Sequence, residues 1–437
     1  MKIKESIKDH ISCENHPNLN KFNITEVVWG QLSECKNQLI SVADQSNKTI
    51  GFFLGYSIYL GSGGFEGEGI GRFVVRLIEG LLENNKDVLI KIVVNNQNYP
   101  VIKEAFKGYI LNYHRRLSIE SFNDVESINR NVLVDIWIVP YVGMELALRL
   151  NKPFILCLHD LVYIHFEEIY KGNPYFYDEF TVIANKLANK AVKIIFNSYF
   201  VRDNEGIDFL KLPEEKTKVI RLAPPRKEYD SIRICDENDF RNKYKLHDSY
   251  IVYPSVIRFH KNHDRLIEGF LKFKGSDEGA VSNLNLVLTD NYKNRPKEKE
   301  IREILNKCKN MSIRNSVIFL GRLSWEDVPL LYKYAEGTII PTFFEGSCPF
   351  QILESLIMDT PVAMSKIDVI EEVIPDLRSF ITFDPYSLEE IEEAINQLCK
   401  AKRKDLKKQK KAVQQTLKRT WTDVAMEYYD LITEIIS

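Results

Sequence analysis

The sequence predicts an α/β protein built from two doubly wound parallel-sheet (Rossmann-like) domains, and three observations carry that expectation. Apolar runs of strand length alternate with helical or loop segments between Thr49 and Ser198, the pattern of parallel strands covered on both faces. A second alternation of the same kind begins at Tyr250 and supplies six strand candidates. Between the two, residues 226–248 (RKEYDSIRICDENDFRNKYKLHD) are strongly charged and poor in apolar pattern, as an interdomain connection ending in a short helix would be. At 437 residues the chain is long for one core and comfortable for two. The expected division is an N-terminal extension over 1–48, a first domain over 49–225, a linker over 226–248, a second domain over 249–405 and C-terminal helices over 406–437.

In the extension, which is polar and mixed, a short helix or strand is expected near Ile24 to Leu39. From Thr49 the run TIGFFLGYSIYL is β-rich and opens into Gly61 to Gly71, where six of eleven residues are glycine. Such backbone must turn sharply or approach something closely. A helix follows, with Phe73, Val74, Leu77, Ile78, Leu81 and Leu82 on one apolar face. A glycine turn before a helix can cradle a phosphate or a sugar ring; the alternative is a glycine loop with no ligand. The strand candidates Val88–Asn95, Val134–Pro140, Pro153–Asp160, Ala191–Ser198 and Val219–Pro225 complete the first domain. Two of them end in polar residues, His159-Asp160 and Asn197-Ser198, and ligands of such sheets gather outside the carboxyl ends of the strands. The other histidines, including His165, His260 and His263, have no metal-ligand spacing.

In the second half the strand candidates are YIVYPSVI, LNLVLTD, SVIFLGRL, GTIIPT, TPVAMS and SFITFDP. Arg258 and Lys261 follow the first of them. Two cations in a partly dry cleft suit a diphosphate, arginine as a bidentate fork and lysine as a point charge; the plainer reading is a solvated basic turn. The stretch Pro341–Pro361 (PTFFEGSCPFQILESLIMDTP) places Glu345 on a loop with Gly346, Ser347 and Cys348. Pro349 suits a helix start, and the three- and four-residue spacing of Phe350, Leu353 and Ile357 puts Glu354 on that helix. A helix N-terminus favours an anion, and two carboxylates beside it can hold sugar hydroxyls, so a ligand carrying both phosphate and sugar is expected. Strand-loop-helix units with glutamate also occur throughout α/β proteins.

Composition narrows the classes. The 59 basic and 61 acidic side chains leave a net charge of −2, so no global field recruits nucleic acid. Seven scattered cysteines without ligand spacing argue for reduced thiols. The N-terminus lacks an apolar core of signal-peptide length, and no run reaches the roughly 18 apolar residues of a membrane span; a cytoplasmic protein is expected. The basic stretch over 400–419 reads as a solvated helical face that could also lean on anionic lipid at the inner face of a membrane.

In joint order and spacing, the glycine loop, His159-Asp160, Arg258 with Lys261-Asn262, Gly321-Arg322 and FEGSCPFQILES…TPV resemble the GT-B glycosyltransferases of the family four type (glycosyl transferases group 1). The resemblance runs from about Thr49 to the C-terminus. It implies two Rossmann-like domains facing a central cleft, with the terminal helix near Trp421 crossing back to the first. It implies a retaining, metal-independent hexosyltransferase acting from a nucleotide-diphosphate sugar, with no cofactor, onto a hydroxyl acceptor on a growing glycan or a lipid-linked one, as in polysaccharide biosynthesis. By the same resemblance Arg258 and Lys261 would bind the diphosphate and stabilise the leaving group, and Glu354 would hold the ribose. Glu345 and the amides of Gly346, Ser347 and Cys348 would touch the donor, His159 would lie near the reactive carbon, and Gly63 and Gly64 would approach from the opposite domain. Eight residues separate Glu345 from Glu354, where the family has seven; with Pro349 fixing the helix, the extra residue should fall in the loop. A nucleotide-sugar epimerase of the same fold and a non-catalytic scaffold are the alternatives.

Overall fold

The computed structural model describes residues 47–55, 65, 69–172, 175–347, 349–401 and 403–437. The element expected near Ile24 to Leu39, and Gly63, Gly64 and Cys348, lie outside the described residues.

Two parallel sheets organise the chain. The first comprises β1 (Lys48–Leu54), β2 (Val88–Asn95), β3 (Leu117–Phe122), β4 (Ile136–Val139), β5 (Phe154–Leu158), β6 (Lys193–Phe196) and β7 (Thr217–Val219), in the order β3-β2-β1-β4-β5-β6-β7. The second comprises β8 (Tyr250–Tyr253), β9 (Asn285–Leu288), β10 (Val317–Phe319), β11 (Gly337–Ile340), β12 (Val362–Ser365) and β13 (Ile381–Phe383), in the order β10-β9-β8-β11-β12-β13. Central strands are buried from end to end, IWIV in β4 and GTII in β11 among them. That is why they read as continuous apolar runs rather than as alternations.

Strand order reverses between β1 and β4 in the first sheet and between β8 and β11 in the second. At such a switch point the loops leave in opposite directions and open a crevice beyond the carboxyl ends of the strands. The glycine segment follows β1, the Arg258–Lys261 turn follows β8, and the Glu345 loop follows β11.

Helices cover the sheets, among them α1 (Gly69–Asn84), α2 (His263–Gly275), α3 (Phe350–Ile357), α4 (Asp368–Val373), α5 (Leu388–Cys399), α6 (Arg403–Ala412) and α7 (Trp421–Ile436). Helix α3 begins one residue after Pro349, which stands at its N-cap. The segment 226–248 holds two helices, Arg226–Asp230 and Glu237–Tyr244, and its Phe240 and Leu246 bury with Tyr250, Val252 and Leu331. The strand expected over Val219–Pro225 is a correction: β7 ends at Val219 and the chain runs on without a strand to the next helix, because Pro224 and Pro225 have no N–H to donate to a ladder.

Helix α7 returns to the first sheet. Its Val424, Ala425, Tyr428, Leu431 and Ile432 belong to that sheet's core, and Thr420 and Asp423 form a reciprocal capping box at its start. Gly80 on α1 allows the crossing, since a Cβ there would lie 2.7 Å from Ala425 Cβ and 2.8 Å from the Trp421 carbonyl.

Candidate functional site

The turn after β8 is rigid for a reason visible in the backbone. Asn262 adopts the left-handed conformation (φ 57°) and is fully buried. Its Nδ2 donates to the Pro341 and Pro385 carbonyls, both at 2.9 Å. One side chain thus fastens the Arg258–Lys261 turn to the end of β11 and to the loop after β13. Lys261 then reaches the Glu345 carboxylate, Nζ to Oε1 2.5 Å, with both side chains about 15% exposed or less.

Glu354 is held from two sides. Tyr332 Oη donates to one oxygen at 2.9 Å, and Arg72 Nη1 from α1 of the other half donates to the other at 2.9 Å. Arg72, Arg258, Lys261, Arg322, Glu345 and Glu354 all line one cavity of about 560 Å³, together with Ser255, Thr289, Trp325 and Gln351. An adjoining pocket of about 290 Å³ shares Glu345, Ser347 and Phe350 with it and adds His159, Asp160 and Tyr141. The structure therefore brings Arg258, Lys261, Glu345, Glu354, Ser347, Gly346 and His159 to one continuous cleft.

The His159 ring is committed within the protein. The Pro140 carbonyl, 3.0 Å from Nε2, can only accept, so Nε2 carries the proton and Nδ1 accepts from the Asn197 amide at 2.7 Å. Burial outweighs both bonds and lowers the imidazole's pKa to about 4, which makes it a neutral group in a T-shaped contact with Phe73, ring centroids 4.9 Å apart. Burial likewise pushes the Asp160 carboxyl up, against the Val162 N–H and the charges of Lys261 and Arg258.

Close contacts join the halves here. A Cβ at Gly346 would lie 2.5 Å from the His159 carbonyl oxygen, so only glycine lets this loop lie against the end of β5. Ser198 Oγ donates to the Gly346 carbonyl at 2.9 Å. Phe344, 5% exposed, stacks on His165 of the first half at 4.4 Å. Glu372 of α4 accepts from the amides of Tyr199 and Phe200 at 3.0 and 2.8 Å and from Arg221 at 2.8 Å.

Sequence reasoning missed several of these participants. Arg72 carries a weak signal, a cation in the first turn after the glycine loop, yet its partner is 282 residues away. Glu205 carries none: fully buried, it accepts from the Leu161 amide and lies 2.9 Å from His165 Nε2. Burial, with Asp160 nearby, raises its pKa well above the carboxylate range. Among the described residues no group of three His, Cys, Asp or Glu side chains could hold a metal ion, and no helix is long and apolar enough to cross a membrane.

Comparison with known proteins accords with this architecture. Residues 236–418 match the family model described as "Glycosyl transferases group 1". An uncharacterized glycosyltransferase of Methanocaldococcus jannaschii is 24% identical over 246 residues, a match that spans 54% of this chain and 58% of that relative's length. Among solved structures, HepE of Anabaena in complex with UDP and glucose superposes with a TM-score of 0.65 at 14% identity, over 89% of this chain and 100% of that one. A glycosyltransferase of Rickettsia africae gives 0.65 at 17% identity over 90% and 99% of the two chains. Sucrose-phosphate synthase of Thermosynechococcus elongatus gives 0.61 at 15% over 89% and 99%. Residues 236–418 thus match the glycosyl transferases group 1 model, on a chain that has the two-sheet GT-B fold of the solved structures it resembles.

Proposed function

We propose that the protein is a retaining, metal-independent glycosyltransferase that moves a sugar from a nucleoside diphosphate sugar to a hydroxyl on a glycan or lipid-linked acceptor. The observation that carries this reading is the cleft at the paired switch points, where Arg258 and Lys261 line the same cavity as the carboxylates of Glu345 and Glu354. The matched family and the UDP-bound HepE structure support the choice of donor.

In this reading Arg258 and Lys261 hold the diphosphate and neutralise the charge that grows on it as the bond from the sugar's anomeric carbon to the phosphate oxygen breaks. Fixed cations in a water-poor cleft act most strongly at that point, and they take the part that a divalent ion would play. Glu354 accepts from the ribose hydroxyls and Glu345 from the donor sugar. The acceptor oxygen bonds to the anomeric carbon on the face the phosphate leaves, and its proton passes to the departing phosphate oxygen, so configuration is retained without a protein nucleophile. His159, uncharged and hydrogen-bonded through both ring nitrogens, shapes the wall beside the sugar rather than relaying a proton.

The test is thermal stability of the full chain against UDP, GDP, ADP, CMP and their sugars with EDTA present. A ligand specific to the folded state stabilises by about 2.7 kcal/mol at a hundredfold excess over its Kd. One nucleoside diphosphate should raise the melting temperature, and Arg258→Ala and Lys261→Ala should abolish the shift. A shift that needs a divalent ion would overturn metal independence, and none with any nucleotide would overturn the donor site. Release of epimerised sugar without an acceptor would make the enzyme an epimerase instead.

A further inference from the structure

Each carboxylate of the 560 Å³ cavity is held by a cation, and the two pairs differ in kind. Lys261 and Glu345 belong to the same half and follow neighbouring strands. Arg72 and Glu354 come from different halves, and Arg72, with a third of its side chain exposed, is the more accessible member of a pair whose carboxylate is only 7% exposed. The Arg72 guanidinium also stands 6.0 Å from the centre of the Phe350 ring. Four cations (Arg72, Arg258, Lys261, Arg322) and two carboxylates (Glu345, Glu354) line the cavity, a net charge of +2. A nucleoside diphosphate sugar, a phosphodiester on both phosphorus atoms, carries about −2.

We infer that Arg72 is a third donor-binding cation, which rests on Glu354 and moves to the diphosphate when the ribose hydroxyls take its place on that carboxylate. The inference rests on the donor-site reading given above and adds to it the part played by the first half of the chain. A carboxylate has room for about four hydrogen bonds, so Tyr332 can stay on Glu354 while Arg72 leaves. Arg72 cannot leave alone, because a carboxylate this buried is costly without a charge partner or a further donor, even with Tyr332 still on it. The exchange therefore needs a diol for Glu354 and an anion for Arg72 in the same molecule. A nucleoside offers only the first and pyrophosphate only the second. Because Arg72 sits on α1, its transfer also ties the first half to the donor once both groups are in place.

Calorimetry on the full chain tests this with matched probes: UDP with uridine, GDP with guanosine, ADP with adenosine, and pyrophosphate. For whichever nucleoside diphosphate binds the wild type, Arg72→Ala should weaken its binding about tenfold or more, the worth of one charge-assisted hydrogen bond, while leaving the nucleoside unchanged or slightly tighter. Arg72→Lys should fall between the two, keeping the charge and losing the fork. Glu354→Gln should tighten pyrophosphate and weaken the nucleoside diphosphate. Should Arg72→Ala not fold, Arg72→Gln, which can still donate to Glu354, gives the same comparison. Equal weakening of nucleoside and diphosphate, or no change in either, would make Arg72 a strut between the halves and overturn the inference. Absence of any nucleoside diphosphate binding to the wild type would instead overturn the donor site, and this inference with it.

Discussion

Replacing Asn262 tests how the site is held together. The residue contributes a left-handed backbone and two donors to buried carbonyls at 2.9 Å. Asn262→Ala leaves both carbonyls without that donor, at roughly 1.5 kcal/mol each, within the range for buried groups that lose their partner. A left-handed alanine adds about 1 kcal/mol, so the loss should be about 4 kcal/mol. Asn262→Asp keeps the size and the tolerance of a left-handed backbone but aims a carboxylate at two carbonyl oxygens; it should cost at least as much. The assay is urea unfolding followed by intrinsic fluorescence and far-ultraviolet circular dichroism, with coincident transitions required before a free energy is taken from a chain of two halves. Since Lys261 precedes Asn262, kcat should fall in both variants under conditions where they remain folded. If both lost less than about 1 kcal/mol, the clamp would not be what fixes the turn.

Lys261→Ala and Arg258→Ala should each lower kcat by about 10²-fold or more with little change in circular dichroism, and near-normal rates in both would remove the diphosphate assignment; Glu354→Ala should act mainly on nucleotide affinity, read as KM. Gly346→Ala forces a Cβ to 2.5 Å from the His159 carbonyl, so it should destabilise by about 1–3 kcal/mol and reduce kcat by about 10²-fold through displacement of the loop; wild-type kinetics would show that the halves are not in register there. His159 has its pKa lowered from 6.5 to about 4 by burial, so the unfolded chain binds its proton first as pH falls. The stability this neutral ring contributes is complete above about pH 6.5 and is lost on descending towards pH 4. Across that window wild-type stability should fall more steeply than that of His159→Gln by up to about 1.4 kcal/mol per pH unit, and identical slopes would show that the ring titrates freely.

Much of the fold was legible because the strands are buried on both faces and so appear as unbroken apolar runs, as in FILCL of β5. Strand β3 escaped for the opposite reason. It lies at the sheet edge, only its terminal Leu117 and Phe122 are buried, and the intervening Ser-Ile-Glu-Ser gives no run. The grouping of the candidate residues in one cavity was legible where a strand end, a turn and a helix start are adjacent in sequence, as at Arg258–Lys261 and Glu345–Glu354. It was illegible wherever two halves meet. Nothing in a single sequence pairs Arg72 with Glu354, or tells that Phe344 stacks on His165 rather than completing its own core. Nor does His159 announce in sequence that both its ring nitrogens are spoken for.

The return of α7 to the first sheet sets an order on biosynthesis. The last strand of that sheet ends at Val219, yet five of its core side chains lie between Val424 and Ile432. At roughly 5–20 residues per second, they leave the ribosome some 10–40 s after the last of that sheet's strands. The second sheet, complete by Phe383, is made in that interval. The half that is synthesised first is therefore the half that finishes last, and α1 must wait with Gly80 and the side that meets α7 uncovered until α7 has been made.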